Sequence, residues 1–170
     1  NRLEAMAADM LGKEAALFVS SGTMGNLVAI LAHCRRGDEM IVGHRSHIFT
    51  DEGGGAATLG GVHVQTIRND DRGMLDPQEV EEAIRPDNPH FPTTGLIALE
   101  NTHTSCGGVV LTQDDIGSVA RIAGKHHIPL HIDGARIFNA SVYLETPVSE
   151  LVKDADSVSF CLSKGLSCPI

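Results

Sequence analysis

Lys164, Asp133 and Arg136 are the residues of this 170-residue chain whose types and positions most directly suggest chemistry. Lys164 stands between Ser163 and Gly165, just past the alternating run Ser157-Val158-Ser159-Phe160, which reads as a strand leaving a core. A lysine is ordinarily a surface charge. At the exit of a buried strand, desolvation favours the neutral amine, which can form a Schiff base with an aldehyde. Asp133 closes the preceding strand-like run at 129–133, and Gly134 after it would let a ligand approach the backbone closely. An acid at one strand end, followed by a lysine after the next strand, suits pyridoxal phosphate. The lysine holds its aldehyde, and the acid keeps its pyridine nitrogen protonated so that the ring can draw electrons. Arg136 can fork a carboxylate. Without Lys164 downstream, Asp133 and Arg136 would read as a structural ion pair.

Other polar residues fall after apolar runs. Ser20-Ser21-Gly22-Thr23 follows an expected strand at 14–19 and precedes an apolar helix from about Leu27 to His33. A small-residue turn opening a helix offers free N–H groups and the positive end of the helix dipole to an anion. It is neither a GxGxxG fingerprint nor a Walker loop, and an ordinary N-capped helix has the same pattern. His44 and His47 follow an expected strand at 39–42, with Glu52 beyond them. His103 lies in the Gly- and Ser-rich loop after an expected strand at 94–100. Loop histidines are commonly just solvated, but strand ends are where α/β folds collect ligand-binding groups. Cys106, close to His103, sits in no cysteine-enzyme motif.

The segments His-Ile-Asp-Gly-Ala-Arg-Ile-Phe-Asn-Ala at 131–140 and Ser-Phe-Cys-Leu-Ser-Lys-Gly-Leu at 159–166, with Ser-Gly-Thr at 21–23 and Glu-Asn-Thr-His at 100–103, occur in one order. In this the chain resembles the low-specificity L-threonine aldolases, over essentially its whole length. These are pyridoxal-phosphate enzymes of the aspartate-aminotransferase-type fold (fold type I). The resemblance implies that Lys164 holds the cofactor and Asp133 its ring nitrogen. Ser21, Gly22 and Thr23 would receive its phosphate, and His47 would stack on its ring, oriented by Glu52. Arg136 would belong to the substrate-carboxylate site, and His103 would lie near the threonine hydroxyl. The implied reaction is retro-aldol cleavage of L-threonine or L-allo-threonine to glycine and acetaldehyde. Its base would be His47, or a water held by His47 and His103. A homo-oligomer, typically a tetramer, is implied as well.

The elements needed to position these groups can be read from periodicity. Strands are expected near 15–19, 39–42, 62–67, 94–100, 129–132 and 156–160. Helices are expected at 2–12, at 77–85 behind Asp76-Pro77, and from 112 to about 126. Strands alternating with helices predict an α/β domain with a mainly parallel sheet flanked by helices. With no repeat or linker, 1–170 reads as one domain, the cofactor-binding large domain of a bigger enzyme. The chain opens inside a helix and stops just past Lys164, so it reads as a fragment, and the resemblance implies that an N-terminal segment and a C-terminal small domain are absent from it.

Composition narrows the classes. A net charge of −9 argues against nucleic acid and against a basic membrane-binding face. No apolar run reaches membrane-spanning length. The cysteines at 34, 106, 161 and 168 lack zinc-site spacing, so no metal site is expected, and reduced thiols in a cytoplasmic protein are the default. Two other readings remain. Another fold-type-I enzyme, an aminotransferase or β-eliminating lyase, would share Asp133 and Lys164. Alternatively, the chain is a non-catalytic cofactor-binding or interaction fragment.

Overall fold

A computed structural model describes residues 1–169. Its centre is a five-stranded parallel sheet: β1 (Glu39–Gly43), β2 (His63–Ile67), β3 (Thr94–Glu100), β4 (Leu130–Asp133) and β5 (Ser157–Ser159), in the order β2-β1-β3-β4-β5. β2 lies on one side of β1 and β3 on the other, so the winding reverses between β1 and β3. A crevice opens beyond the carboxyl ends of parallel strands at such a reversal.

The strand residues alternate between two packed faces. Met40, Val42, Leu96 and Ala98 point to one face, where Ile30 of α2 (Gly22–His33), Cys34 just past its end, Ile48 of α3 (His47–Thr50) and Ala56 of α4 (Gly55–Thr58) cover them. Ile41, Ile97, Leu99, Leu130 and Ile132 point to the other. There they meet Leu11 of α1 (Arg2–Leu11), Val80 of α5 (Pro77–Ala83), Val119 of α6 (Gln113–Lys125), Ile137 of α7 (Ile137–Tyr143) and Leu151 of α8 (Val148–Leu151). The expected α/β class and mainly parallel sheet are therefore present. No helix among the described residues is long and apolar enough to cross a membrane.

The helix starts follow from local chemistry. Asn1 and Glu4 form a capping box on α1, and Gly12 ends it in the left-handed region at φ 64°. Thr112 and Asp115 form a second box on α6, and Asp76 caps α5 with Pro77 in its first turn.

The structure differs from the sequence expectation in two elements. Residues 14–19 join no ladder and form no regular element. Leu17 and Phe18 are exposed, and the segment helps line an apolar groove to which Val158 and Phe160 also contribute. An alternating pattern makes a strand only where a neighbouring backbone supplies the hydrogen bonds. The helix expected from about Leu27 begins at Gly22, where Ser21 Oγ accepts the Met24 N–H at 3.1 Å. The whole of 22–26 is thus helical rather than a turn.

Gly134 has a structural role different from the one expected. A Cβ there would lie 2.8 Å from the Ser159 carbonyl oxygen and 3.0 Å from Ile137 Cβ, so the close neighbour is the protein's own β5 backbone. Gly134→Ala is expected to lower the unfolding free energy by about 1–3 kcal/mol, the usual cost of overpacking. Urea denaturation checks this, and an unchanged midpoint would show that β4 and β5 separate at little cost.

Candidate active site

The carboxyl ends of β1, β3 and β4 bring four polar side chains together. His47 opens α3 just past β1, and its backbone N–H donates to Glu100 Oε2 at 2.8 Å. Its ring Nδ1 lies 3.0 Å from Glu52 Oε1, and a carboxylate can only accept, so Nδ1 carries the proton. In the neutral ring Nε2 is then an acceptor. Glu52 and Asp133 are 9% and 4% exposed. The Asn26 amide nitrogen joins them, donating to Glu52 Oε1 at 2.7 Å and to Asp133 Oδ2 at 3.0 Å. Glu100, at the end of β3, also accepts the Thr104 N–H at 2.8 Å, and so ties the loop after β3 to the loop after β1.

Three buried carboxylates in one place disfavour one another's ionisation. Asp133 is pushed up to about 6, by burial first and then by Glu100 and Glu52, against the opposing pull of the Asn26 hydrogen bond and His47. Ligating atoms of His47, Glu52 and Asp133 lie within 4.8 Å of one another. The Asn26 NH2 bridges two of these three side chains, Glu52 and Asp133.

The remaining sequence-predicted residues are spread more widely. Ser21 is the exposed N-cap of α2, followed by half-buried Gly22 and exposed Thr23. The N–H groups of Gly22 and Thr23 belong to the first turn, where no acceptor exists within the helix. Arg136 forms no ion pair among the described residues. Its Nη1 donates to Thr104 Oγ1 at 3.1 Å, so the structural pairing with Asp133 does not form. Lys164 lies in the exposed turn after β5 rather than in a desolvated position. β5 is an edge strand, only half buried, and the chain turns outward from it. A Cβ on Gly165 would clash with the Asn139 amide, so the lysine turn packs tightly against α7. His103 is fully buried, with neither ring nitrogen hydrogen-bonded. Gly73, at φ 80°, covers it so closely that a Cβ there would sit 2.4 Å from the ring. Burial pushes the His103 imidazole below its usual range, with Glu100 acting in the opposite sense. A contact between His103 and a ligand requires the turn at 70–73 to move.

Asn26 and Glu100 are site residues that sequence reasoning missed. Each left a trace: Asn26 is a lone amide in an apolar helix, and Glu100 is an acid closing the apolar run Leu-Ile-Ala-Leu.

The sequence matches the beta-eliminating lyase family over residues 1–170. It is 52% identical to low-specificity L-threonine aldolase 1 of Arabidopsis thaliana, over 99% of this chain and 48% of that protein. It is 44% identical to the low specificity L-threonine aldolase of Escherichia coli K12, over 100% of this chain and 50% of that protein. The chain thus spans about half the length of these curated relatives. The fold superposes on the Leishmania major threonine aldolase with a TM-score of 0.77 and 25% identity, over 88% of this chain and 44% of that one.

Asp133 lies above the 3.8 of an unperturbed aspartate, so the folded chain binds this proton more tightly than the unfolded chain does. Its ionisation therefore opposes folding, increasingly so as pH rises from about 4 to about 6. In the cofactor-free protein, Asp133→Asn is expected to be more stable than wild type by about 2–3 kcal/mol near pH 7.5, with the gap closing near pH 4. Urea melts at both pH values test this, and an equal gap at both would rule out the proton linkage.

Proposed function

The chain belongs to the beta-eliminating lyase family, and from that premise we propose that residues 1–170 form the cofactor-binding large domain of a pyridoxal-phosphate-dependent threonine aldolase. The observation that carries this reading is the buried Asp133 carboxylate at the end of β4, beside a histidine whose ring Nδ1 is held by Glu52. A carboxylate held there in a hydrogen-bonded frame suits a protonated ring nitrogen, and its Oδ1 receives only a long contact, 3.3 Å, from the Ala135 N–H. The first-turn N–H groups of α2 suit a phosphate. The residues present therefore fit the cofactor.

Lys164 would hold the cofactor covalently through its amine. Ser21, Gly22 and Thr23 would receive the phosphate, His47 would lie against the ring, and Asp133 would receive the ring N–H. When bound, pyridoxal phosphate supplies a sink for the electron pair released as the substrate's Cα–Cβ bond breaks. The remaining tasks belong to the chain. Arg136 pairs with the substrate carboxylate, as a guanidinium fork can. Glu52 holds the His47 Nδ1–H, which leaves Nε2 to take the proton of the β-hydroxyl, directly or through a water. His103 contributes on the side-chain end of the substrate once the turn at 70–73 is displaced. The products are acetaldehyde and, after a proton returns to Cα, glycine.

On the same reading the protein is a cytoplasmic homo-oligomer, a tetramer, acting in threonine breakdown and glycine formation. A β-eliminating lyase would use Asp133 and Lys164 alike, and the family match keeps that reading open. Comparing acetaldehyde release from threonine with keto-acid release separates the two.

In the full-length protein, incubation with pyridoxal phosphate, borohydride reduction and peptide mapping are expected to find a phosphopyridoxyl group on Lys164. Lys164→Ala is expected to lose the adduct and to lower threonine cleavage by at least about a hundredfold, in line with removal of a covalent catalytic group. An adduct elsewhere, or cleavage intact in Lys164→Ala, would sink the proposal.

A further inference from the structure

Beneath α2, the lining of the sheet changes character. Over β1 and β3 the helix side of the sheet is apolar, but over β4 and β5 it presents His131, Asp133, Ser157 and Ser159. Asn26, 1% exposed, and His33 are the residues of α2 that meet this polar seam. The Asn26 amide nitrogen faces two carboxylates, Glu52 and Asp133, so the opposite orientation would set oxygen against oxygen. With the nitrogen so assigned, Oδ1 can only accept. It receives Ser159 Oγ–H at 2.7 Å and His131 Nε2–H at 3.1 Å.

The remaining protons follow in sequence. His131 is 1% exposed, and burial drives its imidazole down to about 3, so the ring is neutral. With the proton on Nε2, Nδ1 accepts from Ser157 Oγ–H at 2.9 Å. The Ser157 hydroxyl has one proton to give, so its oxygen accepts from His33 Nε2–H at 2.8 Å. Each polar hydrogen in the series has one acceptor, and reversing any member would leave two donors or two acceptors face to face.

We propose that Asn26 is a positioning residue of the site. Its one carboxamide holds the two carboxylates Glu52 and Asp133 at hydrogen-bonding distance on one side and dictates the proton position of His131 on the other. This rests on the role given above to Asp133 and His47 for its effect on the cofactor, but not for its effect on His131. Asn26 touches neither substrate nor cofactor in this reading. It acts through Asp133, by favouring the carboxylate form that receives a ring N–H, and through Glu52, by fixing the group that orients His47.

The experiment has two readouts on the full-length protein. The first is the two-bond proton–nitrogen spectrum of histidine-labelled, cofactor-free protein. His131 is expected as the neutral Nε2–H tautomer in wild type, and in Ser157→Ala as well, since Asn26 rather than Ser157 sets it. Asn26→Asp keeps an acceptor oxygen and is expected to keep the tautomer, whereas Asn26→Ala is expected to lose it. The second readout is pyridoxal phosphate titration followed by absorbance. Asn26→Asp and Asn26→Ala are both expected to bind at least about tenfold more weakly, the effect of losing a hydrogen bond to a charged group. The proposal is overturned if wild-type His131 carries its proton on Nδ1, if Ser157→Ala switches the tautomer, or if both Asn26 variants bind as wild type does. Should wild type itself not bind the cofactor, the functional reading fails, while the tautomer spectra still decide the role of Asn26 toward His131.

Discussion

Three carboxylates cannot share one buried corner unless hydrogen-bond donors are brought in with them, and this constraint organises the carboxyl edge of the sheet. Asp133, Glu52 and Glu100 are each less than a tenth exposed. Their donors come from different parts of the chain: the Asn26 amide from α2, the His47 N–H and ring from α3, and the Thr104 N–H from the loop after β3. No one element satisfies its own acid. Each acid accepts from two donors, so removing one would leave a buried carboxylate half-satisfied, which costs more than the hydrogen bond itself contributes. The acids therefore act as fasteners between loops that would otherwise be independent.

A parallel sheet makes such a corner possible. All five strands end on the same side, and the reversal between β1 and β3 spreads the loops on either side of a crevice. Apolar packing supports the arrangement from below. Ile97, Leu99 and Ile132 are buried against α5, α6, α7 and α8, while Met40, Val42 and Leu96 are buried against α2 and α4. Only over β4 and β5 does the interior turn polar, and there every side-chain group of the seam from His33 to Glu52 is hydrogen-bonded.

Much of this was legible in the sequence because it rests on local pattern. Alternation and apolar runs locate the five sheet strands and put Asp133 at a strand end, whereas the choice of His47 over His44, and of Glu52, comes from the family resemblance. What escaped depends on tertiary context. The run at 14–19 has strand composition but no ladder, because strand formation needs a partner backbone that sequence alone does not reveal. Asn26 looked like the end of a turn, since Gly22 and Gly25 disguise a helix that Ser21 caps. Glu100 was passed over in favour of the histidine three residues later. That histidine proved fully buried under Gly73, a packing relation between positions thirty residues apart in sequence. Lys164 was expected to be desolvated by its strand, but β5 is an edge and its exit is open to solvent.

The seam also bears on how the site would be dimensioned. α2 carries at its first turn the N–H groups proposed to meet a phosphate, and one turn later the amide that holds Asp133. The four steps from Gly22 to Asn26 span roughly 6 Å along a helix axis, a separation that backbone hydrogen bonding keeps constant. Both ends of the proposed ligand would therefore be referenced to one rigid element rather than to two loops. Asp133, raised to about 6, opposes folding at neutral pH while it has only Asn26 and a long backbone contact as donors. A cationic partner at its free oxygen would favour the ionised form and offset that cost. Binding and folding are then linked through the same carboxylate, and the helix that measures the site is also the one whose amide keeps that carboxylate in register.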